Sequence, residues 1–153
     1  MKENRKIKLT IGIPASGKST WRKEFISENP DWVAVSRDEY RLMLANSQMM
    51  NRSGENLVTE LVENAIAIAI KNGYNVIVDQ TNVNVRYLNK MIDFCQKLAD
   101  IEFVIFDVPL RVAIERDRNR ETSVGENVIR RMYKNYDDLI LSDFSFAERK
   151  KIS

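Results

Sequence analysis

Gly12-Ile13-Pro14-Ala15-Ser16-Gly17-Lys18-Ser19 is the stretch on which the fold turns. It fits G-x-x-x-x-G-K-[ST], follows the β-rich run Ile7–Ile13, and opens a segment that reads as a helix from near Lys18 to just before Asn29-Pro30. A strand before and a helix after are the setting in which this pattern forms a phosphate-binding loop. Glycines allow the backbone to turn tightly and aim its N–H groups inward at phosphate oxygens. The N-terminus of the next helix adds partial positive charge at the same point. On this reading Gly12, Ala15, Ser16, Gly17, Lys18, Ser19 and Thr20 hold a nucleoside triphosphate. Lys18 projects into solvent-filled space to reach the β- and γ-phosphates, and the Ser19 hydroxyl ligates Mg²⁺.

Short β-rich runs alternate with amphipathic stretches along the rest of the chain, the mark of an α/β sheet. Val33–Ser36 reads as a second strand, with a helix from about Asp38 and a polar loop over Asn46–Gly54. Glu55–Asn72 is the strongest helix, since Leu57, Leu61, Val62, Ala65, Ile66, Ala69 and Ile70 recur with a 3.6-residue period and Gly73 follows as a stop. Asn75–Asp79 reads as a buried strand, Asn84–Leu98 as a helix and Ile101–Phe106 as a fourth strand. A basic helix over Leu110–Arg120, a flexible turn at Thr122–Gly125 and a helix over Glu126–Leu139 follow. Parallel strands place their active loops at their carboxyl ends, which here gather Gly12–Ser19, Ser36–Asp38, Asp79–Asn82 and Asp107–Pro109.

The 153 residues fit one domain, with 44% hydrophobic and 30% charged residues. Histidine is absent, so acid–base work falls to carboxylates, lysines or tyrosines. Cys95 is alone, which excludes an intrachain disulfide or a cysteine metal cluster. A net charge of +2 permits a polyanionic partner without demanding one. No run approaches the roughly 20 apolar residues that span a bilayer, and the expected location is cytoplasmic.

Three clusters supply candidate chemistry. Asp38 follows the second strand, with Arg41 three residues on and on the same helical face. Asp38 can accept a proton from an attacking hydroxyl, or serve as a helix N-cap. Asp79 begins Asp-Gln-Thr-Asn after the third strand, where it can hold a water on Mg²⁺ or orient the nucleophile, or form a turn with Asn82. Arg116 and Arg120, four apart on one helix face, suit a lid that neutralises charge over a transferring phosphoryl group, or a solvated helix laced with ion pairs.

Read together, Leu9 to Trp21, Ser36-Arg-Asp-Glu-Tyr-Arg41, Asp79-Gln-Thr-Asn82, Phe106-Asp-Val-Pro109, Arg116-Asp-Arg-Asn-Arg120 and Arg131-Met-Tyr133 resemble the kinase module of the 5′-polynucleotide kinases, the phage type in particular. These blocks cover residues 7–135 in the family's order. The resemblance implies that Asp38 is the general base for a 5′-hydroxyl and that Arg41 touches the phosphate of the 5′-terminal nucleotide. Asp79 falls in the family's D-x-T-N block, whose spacing varies among members, and Asp79, Thr81 and Asn82 are candidate substrate-binding residues; Arg116 and Arg120 match lid arginines on the donor phosphates. Departures are present too. Neither the D-x-D-G-T phosphatase motif nor the K-x-D-G ligase motif occurs, Gly125 stands near a family proline, and residues 140–153 match nothing in the pattern.

The expected architecture is therefore a P-loop kinase fold in a single domain, 1–153. Its parallel four-stranded sheet runs in the order 2-3-1-4, flanked by helices and carrying an arginine-bearing lid. The expected reaction moves the γ-phosphoryl group of ATP, with Mg²⁺, to the 5′-hydroxyl end of RNA or DNA. Alternatives are a kinase for a nucleoside, nucleotide, sugar or antibiotic, and an NTP-hydrolysing switch. No N-K-x-D guanine motif supports the switch.

Overall fold

A computed structural model of the chain describes residues 4–121, 123–140 and 148–151. Thr122, part of the expected lid turn, and most of the unmatched stretch 140–153 lie outside the described residues. The elements run β1 (Lys6–Ile11), α1 (Lys18–Glu28), β2 (Trp32–Ser36), α2 (Arg37–Ala45), α3 (Arg52–Lys71), β3 (Asn75–Asp79), α4 (Val85–Gln96), β4 (Asp100–Asp107), α5 (Leu110–Arg118), α6 (Glu126–Ile140) and β5 (Glu148–Lys151).

The sheet is parallel throughout, in the order β2-β3-β1-β4-β5. Its first four strands take the order read from the sequence. β5 is an addition at the edge, where Glu148–Lys151 pairs with Val104–Asp107. No hydrophobic run announces it. An edge strand of this length depends on the open hydrogen-bonding groups of β4 more than on its own composition.

Alternation along β1 sends Ile7, Leu9 and Ile11 to one face, where they join Val76 and Val78 of β3 and Ile105 of β4. α3 meets that cluster with Val58, Val62, Ile66 and Ile70, spaced to form one stripe. α1 contributes aromatic packing instead. Trp21 sits 5.6 Å from Phe106 and Phe25 sits 5.3 Å from Trp32, ring centroid to centroid.

Some boundaries move, for local reasons. α3 starts at Arg52 because Asn51 caps it, its side-chain oxygen accepting from Gly54 N–H at 2.8 Å. The glycine in that first turn disguises the start in the sequence. α5 stops at Arg118, so Arg120 lies in the turn beyond it and does not continue a shared helix face with Arg116.

Candidate active site

Close packing sets the geometry of the glycine loop. A Cβ on Gly12 would lie 2.7 Å from Ser16 Oγ and 3.0 Å from Phe106 Cβ, so no side chain fits there. Gly12 N–H donates to the Thr81 carbonyl at 2.9 Å. That bond ties the loop to the β3–α4 connection. Gly17 caps α1 with φ +98°, and Ala15 also adopts positive φ at 63°. Left-handed backbone costs a residue with a Cβ roughly 1–2 kcal/mol, so the loop holds Ala15 under strain.

Lys18 differs from expectation. It is 7% exposed, and its Nζ donates to Ile13 O at 2.7 Å, Gly12 O at 3.0 Å and Ser16 Oγ at 3.3 Å. The ammonium is folded into the loop and does not project into open solvent. Burial lowers its pKa, with Asp79 and Asp38 opposing that shift and Arg120 adding to it.

Asp79, 4% exposed, ends β3 beside Ser19, whose Oγ donates to Asp79 Oδ2 at 3.0 Å. Arg22, 6% exposed and four residues after Lys18 on α1, brings Nε within 3.3 Å of the same oxygen. The carboxylate therefore sits with the Ser19 hydroxyl, the position that the Mg²⁺-side reading of Asp79 requires. A hydroxyl and a carboxylate side by side suit Mg²⁺, which takes one or two protein oxygens and completes its shell with phosphates and water. The residues fit that ion.

Asn82 is buried with φ +52°, and its amide donates to Thr10 O at 2.8 Å. It braces β1 against the loop after β3. Thr81 borders a cavity it shares with Arg41, while its carbonyl accepts from Gly12 N–H.

The N-cap of α2 is Ser36, whose Oγ accepts from Glu39 N–H at 3.3 Å. Asp38 is therefore not the cap. Its exposed carboxylate receives Arg41 Nη1 at 2.7 Å on Oδ1.

Arg41 is also gripped by Glu55 of α3, with Nε to Oε2 at 2.9 Å and Nη2 to Oε1 at 2.6 Å. Glu55 Oε1 additionally accepts from Arg37 Nη2 at 3.0 Å. Burial pushes the Glu55 pKa up, but the bonds from Arg41 and Arg37 outweigh it and hold the pKa at about 2. A carboxylate depressed from its ordinary 4.5 contributes stability above that value and loses it as pH falls toward 2. Urea melts should accordingly show the gap between wild type and Glu55→Gln shrinking across that window. A gap constant from pH 4.5 to 2 would remove Glu55 from the clamp.

Asp117 does for the lid what Glu55 does for α2. It is 2% exposed and accepts from Val124 N–H at 3.0 Å, Gly125 N–H at 2.9 Å and Arg120 Nη2 at 2.8 Å. Burial raises its pKa, and those three donors more than reverse the effect. The latch explains Gly125, since proline has neither an N–H to donate nor access to φ +97°. The turn is held at this end and is not a free hinge.

One cavity of about 570 Å³ is lined by the glycine loop from Pro14 on, with Lys18, Ser19, Asp38, Asp79, Arg116 and Arg120 around it. A second, of about 220 Å³, is lined by Arg37, Arg41, Thr81, Met49, Met50 and Val128 among others. Both are bordered by Pro14, Asp38 and Arg120.

A lysine-bearing glycine loop, set across one cavity from Arg116 and Arg120 at the carboxyl end of a parallel sheet, places the chain in the class of P-loop kinases. The family model AAA_33, described as an AAA domain, matches residues 7–139, and the chain belongs to that family. Over 153 aligned residues it is 27% identical to a protein of Autographa californica nuclear polyhedrosis virus named "Putative bifunctional polynucleotide kinase/RNA ligase", a match covering 87% of this chain and 21% of that one. It is 28% identical over 137 residues to the L-seryl-tRNA(Sec) kinase of Methanococcus maripaludis, covering 84% of this chain and 51% of the relative. Among solved structures, one of the Pnkp1/Rnl/Hen1 RNA repair complex superposes with a TM-score of 0.84 at 32% identity, over 94% of this chain and 48% of that one. The chain thus spans about half or less of the length of each. The resemblance to the polynucleotide kinases read from the sequence is matched by the viral relative and the RNA repair complex. Among the described residues no helix is long and apolar enough to cross a membrane.

Proposed function

We propose that this chain transfers the γ-phosphoryl group of ATP to the 5′-hydroxyl of an RNA or DNA end. The observation that carries the reading is Asp38 at the seam of two cavities, one walled by the phosphate loop and the other by Arg41 and an apolar patch. The acceptor hydroxyl gives its proton to the Asp38 carboxylate as its oxygen bonds to the γ-phosphorus, and the bond to the β-phosphate oxygen breaks. Lys18, Arg116 and Arg120 bear the charge that develops on the phosphoryl oxygens. Ser19 and Asp79 would hold Mg²⁺, which would supply neutralisation of charge on the β- and γ-phosphates.

Arg41 carries five N–H groups, and Glu55 and Asp38 engage three. Two remain for a phosphate on the acceptor, with their direction fixed by the clamp. Arg41→Ala should lower the specificity constant for a 5′-hydroxyl nucleoside 3′-monophosphate by about 10–100-fold, the worth of a charge-assisted hydrogen bond. It should alter the weak use of a plain nucleoside much less. The assay offers labelled ATP with oligonucleotides, nucleoside 3′-monophosphates, nucleosides and sugars. Preference of wild type for a nucleoside or sugar would replace this reading with a small-molecule kinase.

A further inference from the structure

We infer that Arg131 is a specificity-determining residue that engages the acceptor strand beyond its first phosphate. This rests on the nucleic-acid-end reading above and deepens it. Four arginines line the acceptor-side cavity: Arg37, Arg41, Arg120 and Arg131. Three are compensated by carboxylates of the protein. Arg37 lies 3.0 Å from Glu55, Arg41 lies 2.6 Å from Glu55 and 2.7 Å from Asp38, and Arg120 lies 2.8 Å from Asp117. Arg131 is exposed and has no carboxylate partner among the described residues. A neighbouring arginine, Arg130, takes the nearby acid by bonding Glu126 Oε2 at 2.8 Å, and Arg118 bonds Glu126 Oε1. The electrostatic pull of this cavity on an incoming phosphate therefore comes chiefly from Arg131.

Its position suits an outer phosphate. Val128, Arg131 and Met132 stand three and four residues apart on α6, so they share the face that lines the cavity. Val128 and Met132, with Met49 and Met50 of the α2–α3 loop, give an apolar surface for a terminal sugar and base. Arg41 sits deeper, its side chain 18% exposed against Asp38, and is committed in direction to the first phosphate. A strand leaving the cavity for solvent passes the exposed guanidinium of α6. Arg41 thus supplies hydrogen-bond geometry near the reacting hydroxyl, and Arg131 supplies long-range charge and strand length preference.

The test compares wild type, Arg131→Ala and Arg131→Lys on a nucleoside 3′-monophosphate and on a single-stranded 5′-hydroxyl hexamer, across a salt series. The ratio of specificity constants, hexamer over monophosphate, should fall about tenfold in Arg131→Ala, the low end for a charge-assisted contact at an exposed site. The fall should lie in the acceptor KM and not in kcat. The log–log salt slope for the hexamer should become shallower by about 0.7, one single-strand phosphate contact. Arg131→Lys should keep most of the ratio, because a point charge serves this role. An unchanged ratio and salt slope in Arg131→Ala, with wild type active on the hexamer, overturns the inference and leaves the proposed function standing. A wild type inactive on every nucleic acid end overturns both.

Discussion

Lys18→Ala should lower kcat/KM for ATP-dependent transfer by at least about 10³-fold, the upper end for losing one transition-state donor, since here the donor also carries charge. The structure changes how that experiment has to be controlled. The ammonium makes three bonds within its own loop, to Gly12 O, Ile13 O and Ser16 Oγ, so alanine leaves buried acceptors without their donor. Leaving such groups unpaired costs about 1–3 kcal/mol, against which stands relief of the desolvation that lowers the lysine's pKa. Thermal melts belong beside the kinetics, with Lys18→Met as a variant that keeps the packing volume. Turnover within tenfold of wild type in either folded variant would remove Lys18 from the phosphate site. A melt lowered by several degrees with activity lost would agree with both roles.

Features fixed by short spacing were legible in the sequence, and features built by long-range packing were not. The glycine loop needs only strand, glycines, lysine and helix in a row, and the structure supplies all four. Asp38 and Arg41 are three apart on one helix, so their 2.7 Å bond follows from the helical repeat. Glu55 was read as the first residue of a helix, because nothing at a distance of 14 residues announces that α3 will pack it onto Arg41. The Ser19–Asp79 bond spans 60 residues and depends on β3 lying next to β1, so the sequence put Asp79 at the carboxyl edge without naming its partner. Asn82 read as a substrate or turn residue by its place in Asp-Gln-Thr-Asn, and its bond to Thr10, 72 residues away, could not be seen from that place. Asp117 lay hidden among alternating charges, where burial and not residue type marks it out. A polar residue flanked by the apolar Ala113-Ile114 one turn back was the available signal, since that face is buried.

Asp38→Asn should depress turnover with every acceptor by about 10²–10⁴-fold, the usual worth of a general base. The substitution keeps the side chain's shape, removes its charge and takes away the proton acceptor. The Ser36 cap makes the result readable, because Asp38 caps nothing and its loss leaves the start of α2 intact. Arg41 would lose a charged partner at 2.7 Å but stay gripped by both oxygens of Glu55, so the acceptor phosphate contact should survive. The expected signature is a collapse in kcat with the KM for a 5′-hydroxyl oligonucleotide changed only a few-fold. Arg41→Ala should show the opposite split, with the acceptor KM carrying most of its effect. ATP binding by Asp38→Asn, followed by nucleotide titration, should remain close to wild type, since Lys18, Ser19 and Asp79 are untouched. Equal losses in kcat and acceptor affinity for Asp38→Asn would assign the carboxylate to holding Arg41 in place and leave the proton acceptor to be sought elsewhere in the cleft. A turnover within threefold of wild type would exclude Asp38 from the chemistry altogether.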